Sequence, residues 1–202
     1  MKSLSTFFNL LVLLLLTAAP LKAQVKAENE PADIDTELNT PTVPNKHVGV
    51  LRRVMTAKAQ ALIDEGYNVE LMRDDQVIAV TIQLDKLFRP NEVELLETAN
   101  KLLKPFTDFT RHYGKYKLLL AVHSDDTGSQ GYRSWLCEHR IVSLYDFFDS
   151  HGSTPAMVYG YPLGHEQPVA DDNSRANRAL NRRLEIFIVP GPELISNLKN
   201  RK

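Results

Sequence analysis

The eight residues from Tyr116 to His123, YKLLLAVH, form a nearly continuous apolar run between two polar, glycine-containing segments. An exposed strand of this length would alternate apolar and polar residues, because one of its faces would meet water. Continuous apolarity is typical of a strand that is buried on both faces. The run therefore predicts a central strand with other elements packed on both sides of its sheet.

The segments before this strand predict a helix and a hairpin. Apolar residues recur at three- and four-residue steps over residues 48–63, and Gly66 ends this helical pattern. Residues 67–84 contain two extended runs around a polar turn, which predicts a hairpin. The apolar residues of its second run share one strand face: Ile78, Val80, Ile82 and Leu84.

Two further helices are expected around the central strand. The first follows Asn91, which is well placed as an N-cap, and its apolar stripe consists of Val93, Leu96, Ala99 or Asn100, and Leu103. The second covers residues 129–148. Its buried stripe consists of Cys137, Ile141, Leu144 and Phe148.

The rest of the chain completes a layered pattern. Residues 157–160 predict a short strand, residues 164–173 a polar loop, residues 174–180 a short helix and residues 183–189 a final strand. The order is β-α-β-α-β(α)β, preceded by an N-terminal helix and strand. This order predicts an α+β fold, an α/β sandwich in which helices cover a mixed sheet.

Two N-terminal segments are expected to lie outside the folded domain. Residues 1–23 contain a basic start and a 13-residue apolar run, the pattern of a cleaved secretory signal peptide. A bilayer span would need about 20 apolar residues, and an uncleaved anchor is the alternative. Residues 24–46 hold three prolines, five acids and two lysines, which predicts a disordered acidic linker.

The charge balance and the cysteine content exclude some classes of protein. Lys and Arg number 24 against 25 Asp and Glu, and the net charge of −1 shows no basic excess of the kind that favours nucleic-acid binding. The single cysteine, Cys137, cannot form an internal disulfide. It is either a nucleophile or a core residue, and its place on the helical stripe favours the core.

Catalysis and metal binding have little support in the sequence. Five histidines are spread along the middle and later parts of the chain: His112, His123, His139, His151 and His165. None belongs to an HExxH motif, and no nucleophile–base motif stands out. We therefore expect no enzyme activity, no cofactor and no metal ion.

The stretch that follows the central strand, HSDDTGSQGYRSWLCEHR, brings acids, a glycine turn and an arginine close together. Asp125 and Asp126 precede Thr127 and Gly128, and Arg140 lies within the following helix. The acid and the arginine are either solvated, or paired with each other, or arranged to hold a ligand with an amine and a carboxylate. An arginine suits a carboxylate because its planar guanidinium donates two parallel hydrogen bonds.

Three elements of the chain, in order, resemble the OmpA-like C-terminal domain, a peptidoglycan-binding module of Gram-negative envelopes. They are LDKLFRPNEVEL at residues 84–95, HSDDTGSQGYRSWLCEHRI at residues 123–141 and QPVADDNSRANRALNRRLEI at residues 167–186. The resemblance identifies residues 77–190 as the domain. A helix-and-strand extension at residues 47–76 precedes it, and a C-terminal tail at residues 191–202 follows it.

The resemblance implies a non-catalytic module that binds the meso-diaminopimelate of the peptidoglycan stem. Asp125 would hold its ammonium group and Arg140 its carboxylate, with Thr127 and Gly128 in the adjoining turn. The third element adds further site residues by the same resemblance. They are Asn181 and Arg182, with Asp172 and Arg178 as secondary candidates.

Arg133 departs from the family pattern, which has asparagine at this position, and Asp126 stands where asparagine is frequent. Arg133 and Arg140 are seven residues apart, about 700° around a helix, and therefore share a face. One hypothesis is that Asp126 and Arg133 form a compensating ion pair within the site. The alternative is that Arg133 pairs with Asp125 and blocks the ligand ammonium.

Two functions on this fold are therefore open. The first is a periplasmic module, exported by the signal peptide and associated with the outer membrane, that binds peptidoglycan and has an outer-membrane or envelope protein as a second partner. The second is an envelope scaffold that binds other proteins and has lost wall binding, which a blocked site would favour. Neither function involves nucleic acid.

Overall fold

The computed structural model describes residues 33–199, which belong to one compact unit, Pro31–Lys202. The predicted signal peptide and the first part of the predicted linker lie outside the described residues. The described helices are α1 (Ile34–Asn39), α2 (Asn45–Asp64), α3 (Ala99–Thr110), α4 (Gln130–Ser150), α5 (Arg175–Asn181) and α6 (Pro192–Lys199). The described strands are β1 (Asn68–Met72), β2 (Val77–Gln83), β3 (Tyr116–His123), β4 (Val158–Gly164) and β5 (Arg183–Pro190), with 3₁₀ turns at Leu84–Lys86 and Pro155–Met157.

The strands form one mixed sheet with the order β1-β2-β5-β3-β4. β5 is antiparallel to both of its neighbours, β2 and β3, whereas β3 and β4 are parallel. The predicted hairpin is confirmed, because β1 and β2 pair in antiparallel register. The α+β fold with a mixed sheet that the sequence predicts is confirmed as well.

One face of the sheet carries the main core. Alternate residues of β2 and β5 point into it: Ile78, Val80, Ile82, Leu184, Ile186 and Ile188. Helices α2, α3, α4 and α6 supply the opposing side chains, among which Met55, Leu103 and Leu144 are fully buried. Cys137 lies in this core and its burial raises the pKa of the thiol, so the assignment of this residue to the core is confirmed.

The other face of the sheet carries a smaller core. Its buried members on the strands are Val77, Ala79, Leu119, Ala121, Tyr161, Phe187 and Val189. Helix α1 packs Ile34 against this face. All eight residues of β3 are buried, as the continuous apolar run predicts for a strand that is covered on both sides.

The predicted disordered linker is wrong for residues 33–46. This segment forms α1 and begins α2. Glu37 of α1 forms an ion pair with Lys117 of β3, and Arg73 donates hydrogen bonds to two main-chain carbonyls of the segment at 2.9 and 3.1 Å. Polar contacts of this kind order a segment whose own apolar content is low.

Four other boundaries or placements differ from the predictions. The helix expected after Asn91 begins at Ala99, because Asn91 adopts a left-handed φ of 63° and residues 89–98 form a loop. The predicted C-terminal tail forms α6 and adds three apolar side chains to the main core. β4 continues to Gly164, and Ile63, the last apolar residue of the helical pattern predicted over residues 48–63, is exposed.

Candidate functional site

The charged residues of the predicted site meet at one end of the sheet. β2 and β3 end there at Gln83 and His123, and the antiparallel β5 begins there at Arg183, between the two. The residues just beyond these strand ends are Asp85, Asp125 and Arg182. The strand order therefore places one arginine between two acids that are far apart in the sequence.

Arg182 binds both acids. Its Nε and Nη2 donate to the two carboxylate oxygens of Asp85 at 3.0 and 2.8 Å, and its Nη1 donates to Oδ2 of Asp125 at 2.6 Å. Only a planar guanidinium can serve both partners at once. The hydrogen bonds to Asp85 are the main cause of the raised pKa of Arg182, which stays charged.

Asp125 is nearly buried, with 6% of its surface exposed. Burial by itself would raise its pKa, but hydrogen bonds from Arg182 and from the backbone N–H of Thr127, the latter at 2.9 Å, outweigh it and hold the pKa below the ordinary value of 3.8. Asp125 is therefore an anion at neutral pH. Of the alternatives for this acid, free solvation is excluded.

Arg140 projects from the buried side of α4 and is 4% exposed. Its guanidinium lies over the ring of Phe88 at 4.9 Å, and its Nε and Nη2 donate to the main-chain carbonyls of Glu92 and Arg89 at 3.0 and 3.4 Å. Burial is the main cause of its lowered pKa. Arg140 does not form the ion pair with Asp125 that was one alternative. The irregular loop supplies these two carbonyls, which a helix would have used internally.

The turn between β3 and α4 depends on Gly128 and Ser129. Gly128 has a φ of 86°, in the region that favours glycine, and a Cβ atom there would lie 3.1 Å from the ring of Tyr132. Ser129 caps α4 by accepting a hydrogen bond from the backbone N–H of Tyr132 at 3.2 Å. The turn also holds Thr127 where its N–H reaches Asp125.

Comparisons with known proteins show which proteins the chain is similar to. No protein-family model matches the chain. The outer-membrane lipoprotein YfiB of Pseudomonas aeruginosa is 33% identical over 105 residues, which cover 52% of this chain and 58% of that protein. Outer membrane protein A of Bordetella avium is 27% identical over 110 residues, which cover 54% of this chain and 57% of that protein. The chain thus spans little more than half the length of these relatives.

A solved structure gives the same answer for the fold. The cell wall anchor of the T6SS from Pseudomonas aeruginosa superposes with a TM-score of 0.55 and 25% identity over 65% of this chain and 93% of that chain. The chain is therefore similar to outer membrane protein A and to a cell wall anchor, in sequence and in fold. The first of the three sequence elements falls on the 3₁₀ turn after β2 and the loop that follows it. The second falls on the end of β3, the β3–α4 turn and the first part of α4, and the third on the loop, helix and strand from Gln167 to Ile186.

Arg133 pairs with the side chain of neither Asp125 nor Asp126. Its Nη1 donates to the main-chain carbonyls of Asp126 and Gly128 at 3.1 and 2.6 Å, two turn carbonyls that the guanidinium satisfies. The carboxylate of Asp126 instead accepts a hydrogen bond from Nε of Arg178 at 2.8 Å. The hypothesis of a compensating Asp126–Arg133 pair is wrong, and so is the alternative in which Arg133 blocks Asp125.

Asn181 and Asp172 brace the loop between β4 and α5. Asn181 is fully buried, and its Oδ1 accepts from the N–H groups of Val169 and Ala170 at 2.8 and 3.1 Å. Its Nδ2 donates to the carbonyl of Ala170 and to Oδ1 of Asp172 at 2.7 and 3.0 Å. The side-chain amide uses all of its hydrogen-bonding capacity within the protein, so Asn181 braces the loop of the site, and a direct ligand contact by this residue stays a prediction. Nε2 of His165 also contacts Oδ2 of Asp172, at 2.6 Å.

Asp85 is the part of the site that the sequence analysis missed. It lies in the 3₁₀ turn directly after β2, and no local motif distinguishes it from any other exposed acid. The available signal was positional, because a residue just after β2 lies beside one just before β5 only when these two strands are neighbours. Arg182 contacts both Asp85 and Asp125, whereas the sequence motif includes only Asp125.

A second charged cluster lies beneath the site, on the other side of the sheet. Glu185 accepts hydrogen bonds from Arg183 Nε and contacts His123 Nε2, both at 2.9 Å. Burial would raise the pKa of Glu185, but these two partners hold it below the ordinary value of 4.5. We call His123, Arg183 and Glu185 the closed cluster.

Within residues 33–199, no three His, Cys, Asp or Glu side chains come together as a metal site would require. No helix in this part of the chain is both long and apolar enough to cross a bilayer.

Proposed function

We propose that the protein binds peptidoglycan noncovalently in the periplasm and that it holds the diaminopimelate of the stem peptide between Asp125 and Arg140. The free end of diaminopimelate carries an ammonium and a carboxylate on one carbon atom. The named relatives support this setting, because YfiB is an outer-membrane lipoprotein and the superposed structure is a cell wall anchor. Binding of this kind changes no covalent bond.

The observation that carries the proposal is the alternation of charge across the site. The order is acid, base, acid, base: Asp125, Arg182, Asp85 and Arg140, which we call the charged network. Arg140 interacts electrostatically with both Asp85 and Arg182. The four formal charges sum to zero, so a zwitterion can add one charge of each sign without leaving an excess. A ligand with a single charge would instead leave the charged network and the ligand together with a net charge.

Asp125 supports the proposal because its carboxylate keeps acceptor capacity. A carboxylate has about four lone-pair positions, and that of Asp125 accepts hydrogen bonds from Thr127 and Arg182. An ammonium donates three hydrogen bonds in a small volume. The low exposure of Asp125 favours such a compact donor over a larger one, and the exclusion of water strengthens the contact.

Arg140 supports it from the other side. Loop carbonyls hold its Nε and Nη2, and Nη1 has no hydrogen-bond acceptor within residues 33–199. A ligand carboxylate would complete the hydrogen bonding of the guanidinium. The loop and Phe88 fix the side chain before the ligand arrives, which reduces the ordering cost of binding.

The test is co-sedimentation of the purified protein with diaminopimelate-type peptidoglycan sacculi. We expect the wild type to pellet and Asp125→Ala and Arg140→Ala to remain in the supernatant, because loss of one member of a desolvated charge pair costs about 2–5 kcal/mol. Asp171→Ala removes an exposed acid from the loop before α5 and is the matched control, which should pellet like the wild type.

A second variant separates binding from folding. Arg140→Ala leaves the carbonyls of Arg89 and Glu92 without their donor, so it affects the loop as well as the ligand. Arg140→Lys keeps the charge but not the planar fork, and we expect it to bind weakly while its urea midpoint stays close to that of the wild type. Wild-type protein that stays in the supernatant would contradict the proposal and favour the scaffold function.

A further inference from the structure

Three rings line the outer face of α4. Tyr132, Trp135 and His139 lie three and four residues apart, and the first two are 38% and 44% exposed. The rings of Tyr132 and Trp135 are close to parallel, with centroids 6.1 Å apart at 20°, and those of Trp135 and His139 are 4.4 Å apart at 32°. We call these residues the aromatic platform. An exposed cluster of large rings on a soluble domain marks a binding surface.

The platform is preorganised. His139 contacts the main-chain carbonyl of Trp135 through Nδ1 at 2.8 Å, which fixes the imidazole against the indole. All three residues lie within one regular helix, so little conformational freedom remains to be lost on binding. Within residues 33–199 the indole N–H of Trp135 has no hydrogen-bond acceptor, which leaves one donor beside the exposed rings.

The platform is continuous with the charged network. The ring of Tyr132 packs against Gly128, the turn residue beside Asp125. Its phenol also interacts electrostatically with Arg140. A ligand whose carboxylate is bound by Arg140 would therefore extend directly onto Tyr132, and Trp135 is the next ring outward.

We propose that the aromatic platform is a carbohydrate subsite that receives an amino sugar of the glycan strand beside the bound stem peptide. This inference rests on the proposed function, since the stem peptide is covalently attached to that sugar. The C–H face of a pyranose is flat and apolar, which suits stacking on an indole, and its hydroxyl and acetamide oxygens can accept the indole N–H.

The size of the platform fits one sugar. The centroids of Tyr132 and Trp135 are 6.1 Å apart, a span that one pyranose with its ring substituents covers.

The test compares two soluble ligands by titration calorimetry: a tripeptide that ends in diaminopimelate, and the same tripeptide attached to its amino-sugar disaccharide. For the wild type, the disaccharide should raise affinity by about three- to tenfold. Trp135→Ala should lose this gain and bind the free tripeptide as the wild type does. Trp135→Leu should also lose it, because leucine keeps apolar surface but lacks a flat ring.

Val142→Ala is the matched control, because Val142 is exposed one turn further along the same helix and should leave both affinities unchanged. If the wild type binds both ligands equally, or if Trp135→Ala keeps the disaccharide gain, the subsite is refuted while the proposed function stands. If the wild type binds neither ligand, both proposals fail together. Retained gain in Trp135→Leu would indicate nonspecific apolar contact and would also overturn the stacking interpretation.

Discussion

Arg182 and Arg183 are adjacent in the sequence, yet they belong to two different clusters. Arg182 precedes β5 and reaches Asp85 and Asp125, and 27% of its side chain is exposed. Arg183 begins β5, and only 5% of its side chain is exposed in the ion pair with Glu185. Neighbouring residues at the start of a strand point to opposite faces of the sheet. The side chain of Arg182 therefore lies at the surface, and that of Arg183 lies inside.

The two clusters differ in what they leave available. In the closed cluster, Nη2 of Arg183 donates to the carbonyl of Gln167 at 3.1 Å, and the two nitrogens without a partner among residues 33–199, His123 Nδ1 and Arg183 Nη1, are buried away from solvent. In the charged network, half of the Asp85 side chain is exposed and Arg140 keeps one nitrogen without an acceptor. The comparison indicates that the closed cluster supports the fold, whereas the charged network is the more exposed of the two and is the place where we propose that a ligand binds.

The largest loss of folding stability is expected from a change in the closed cluster. Glu185→Ala leaves the buried guanidinium of Arg183 without its anion, and we expect it to lower the free energy of unfolding by about 2–3 kcal/mol, measured by urea denaturation. Glu185→Gln keeps the hydrogen-bonding shape and should cost less. A loss below about 0.5 kcal/mol for Glu185→Ala would contradict the assigned role.

Arg182→Gln should affect ligand binding more than stability, the reverse of Glu185→Ala. Because Arg182 is part of a surface network, its loss should lower the free energy of unfolding by about 1 kcal/mol or less. Binding of the diaminopimelate tripeptide should weaken about tenfold, since Asp125 loses the partner that orients it and keeps it charged. Tighter binding would show instead that Arg182 competes with the ligand for Asp125.

Acid should weaken the fold through both clusters. The pKa values of Asp125 and Glu185 lie below their ordinary values of 3.8 and 4.5 in the folded protein, so the unfolded state binds more protons at low pH. This stabilisation is present above the ordinary values and is lost as the pH falls through the folded-state values.

The free energy of unfolding should therefore be level from neutral pH to about pH 5 and fall below about pH 4.5. Glu185→Gln should show a shallower acid slope than the wild type in urea denaturation at each pH. An identical slope in the two proteins would mean that Glu185 is not held ionised by His123 and Arg183.

The smallest effect on stability and affinity is expected for Asp126, at the exposed edge of the charged network. Asp126 pairs with the exposed Arg178, and exposed ion pairs contribute little. Asp126→Asn should leave the urea midpoint unchanged and the affinity for the tripeptide within about twofold of the wild type. A larger loss of affinity, with Asp171→Ala unchanged, would move Asp126 into the ligand-binding set.

Regular patterns made most of the fold predictable. The continuous apolar run of β3, the alternation in β2 and β5 and the stripe of α4 each follow from burial alone, and each is confirmed. Helix α1 was not predictable in the same way, because its polar partners are distant in the sequence: Lys117 of β3 pairs with Glu37, and Arg73 of the β1–β2 turn donates the hydrogen bonds. The sequence of residues 89–98 resembles that of a capped helix. This segment forms a loop instead, because Asn91 adopts a left-handed conformation and because Arg140 binds the main-chain carbonyl of Glu92.

The site was predictable only in part for the same reason. The motif around Asp125 and Arg140 is local and could be identified, whereas the bond from Arg182 to Asp125 and the role of Asp85 depend on the register of three strands. Arg133 was misassigned because helical spacing gives the face of a side chain but not its partner. Two turn carbonyls lie within its reach, and the carboxylate of Asp126 is taken by Arg178.

The most direct measurement compares Asp125→Asn with Glu185→Gln, each by calorimetric titration with the diaminopimelate tripeptide and by urea denaturation. We expect Asp125→Asn to bind at least about tenfold more weakly than the wild type and to lower the urea midpoint less than Glu185→Gln does, and we expect Glu185→Gln to unfold at lower urea with unchanged affinity. Wild-type affinity in Asp125→Asn, or an equal loss of affinity in both variants, would contradict the division between a ligand site and a structural cluster.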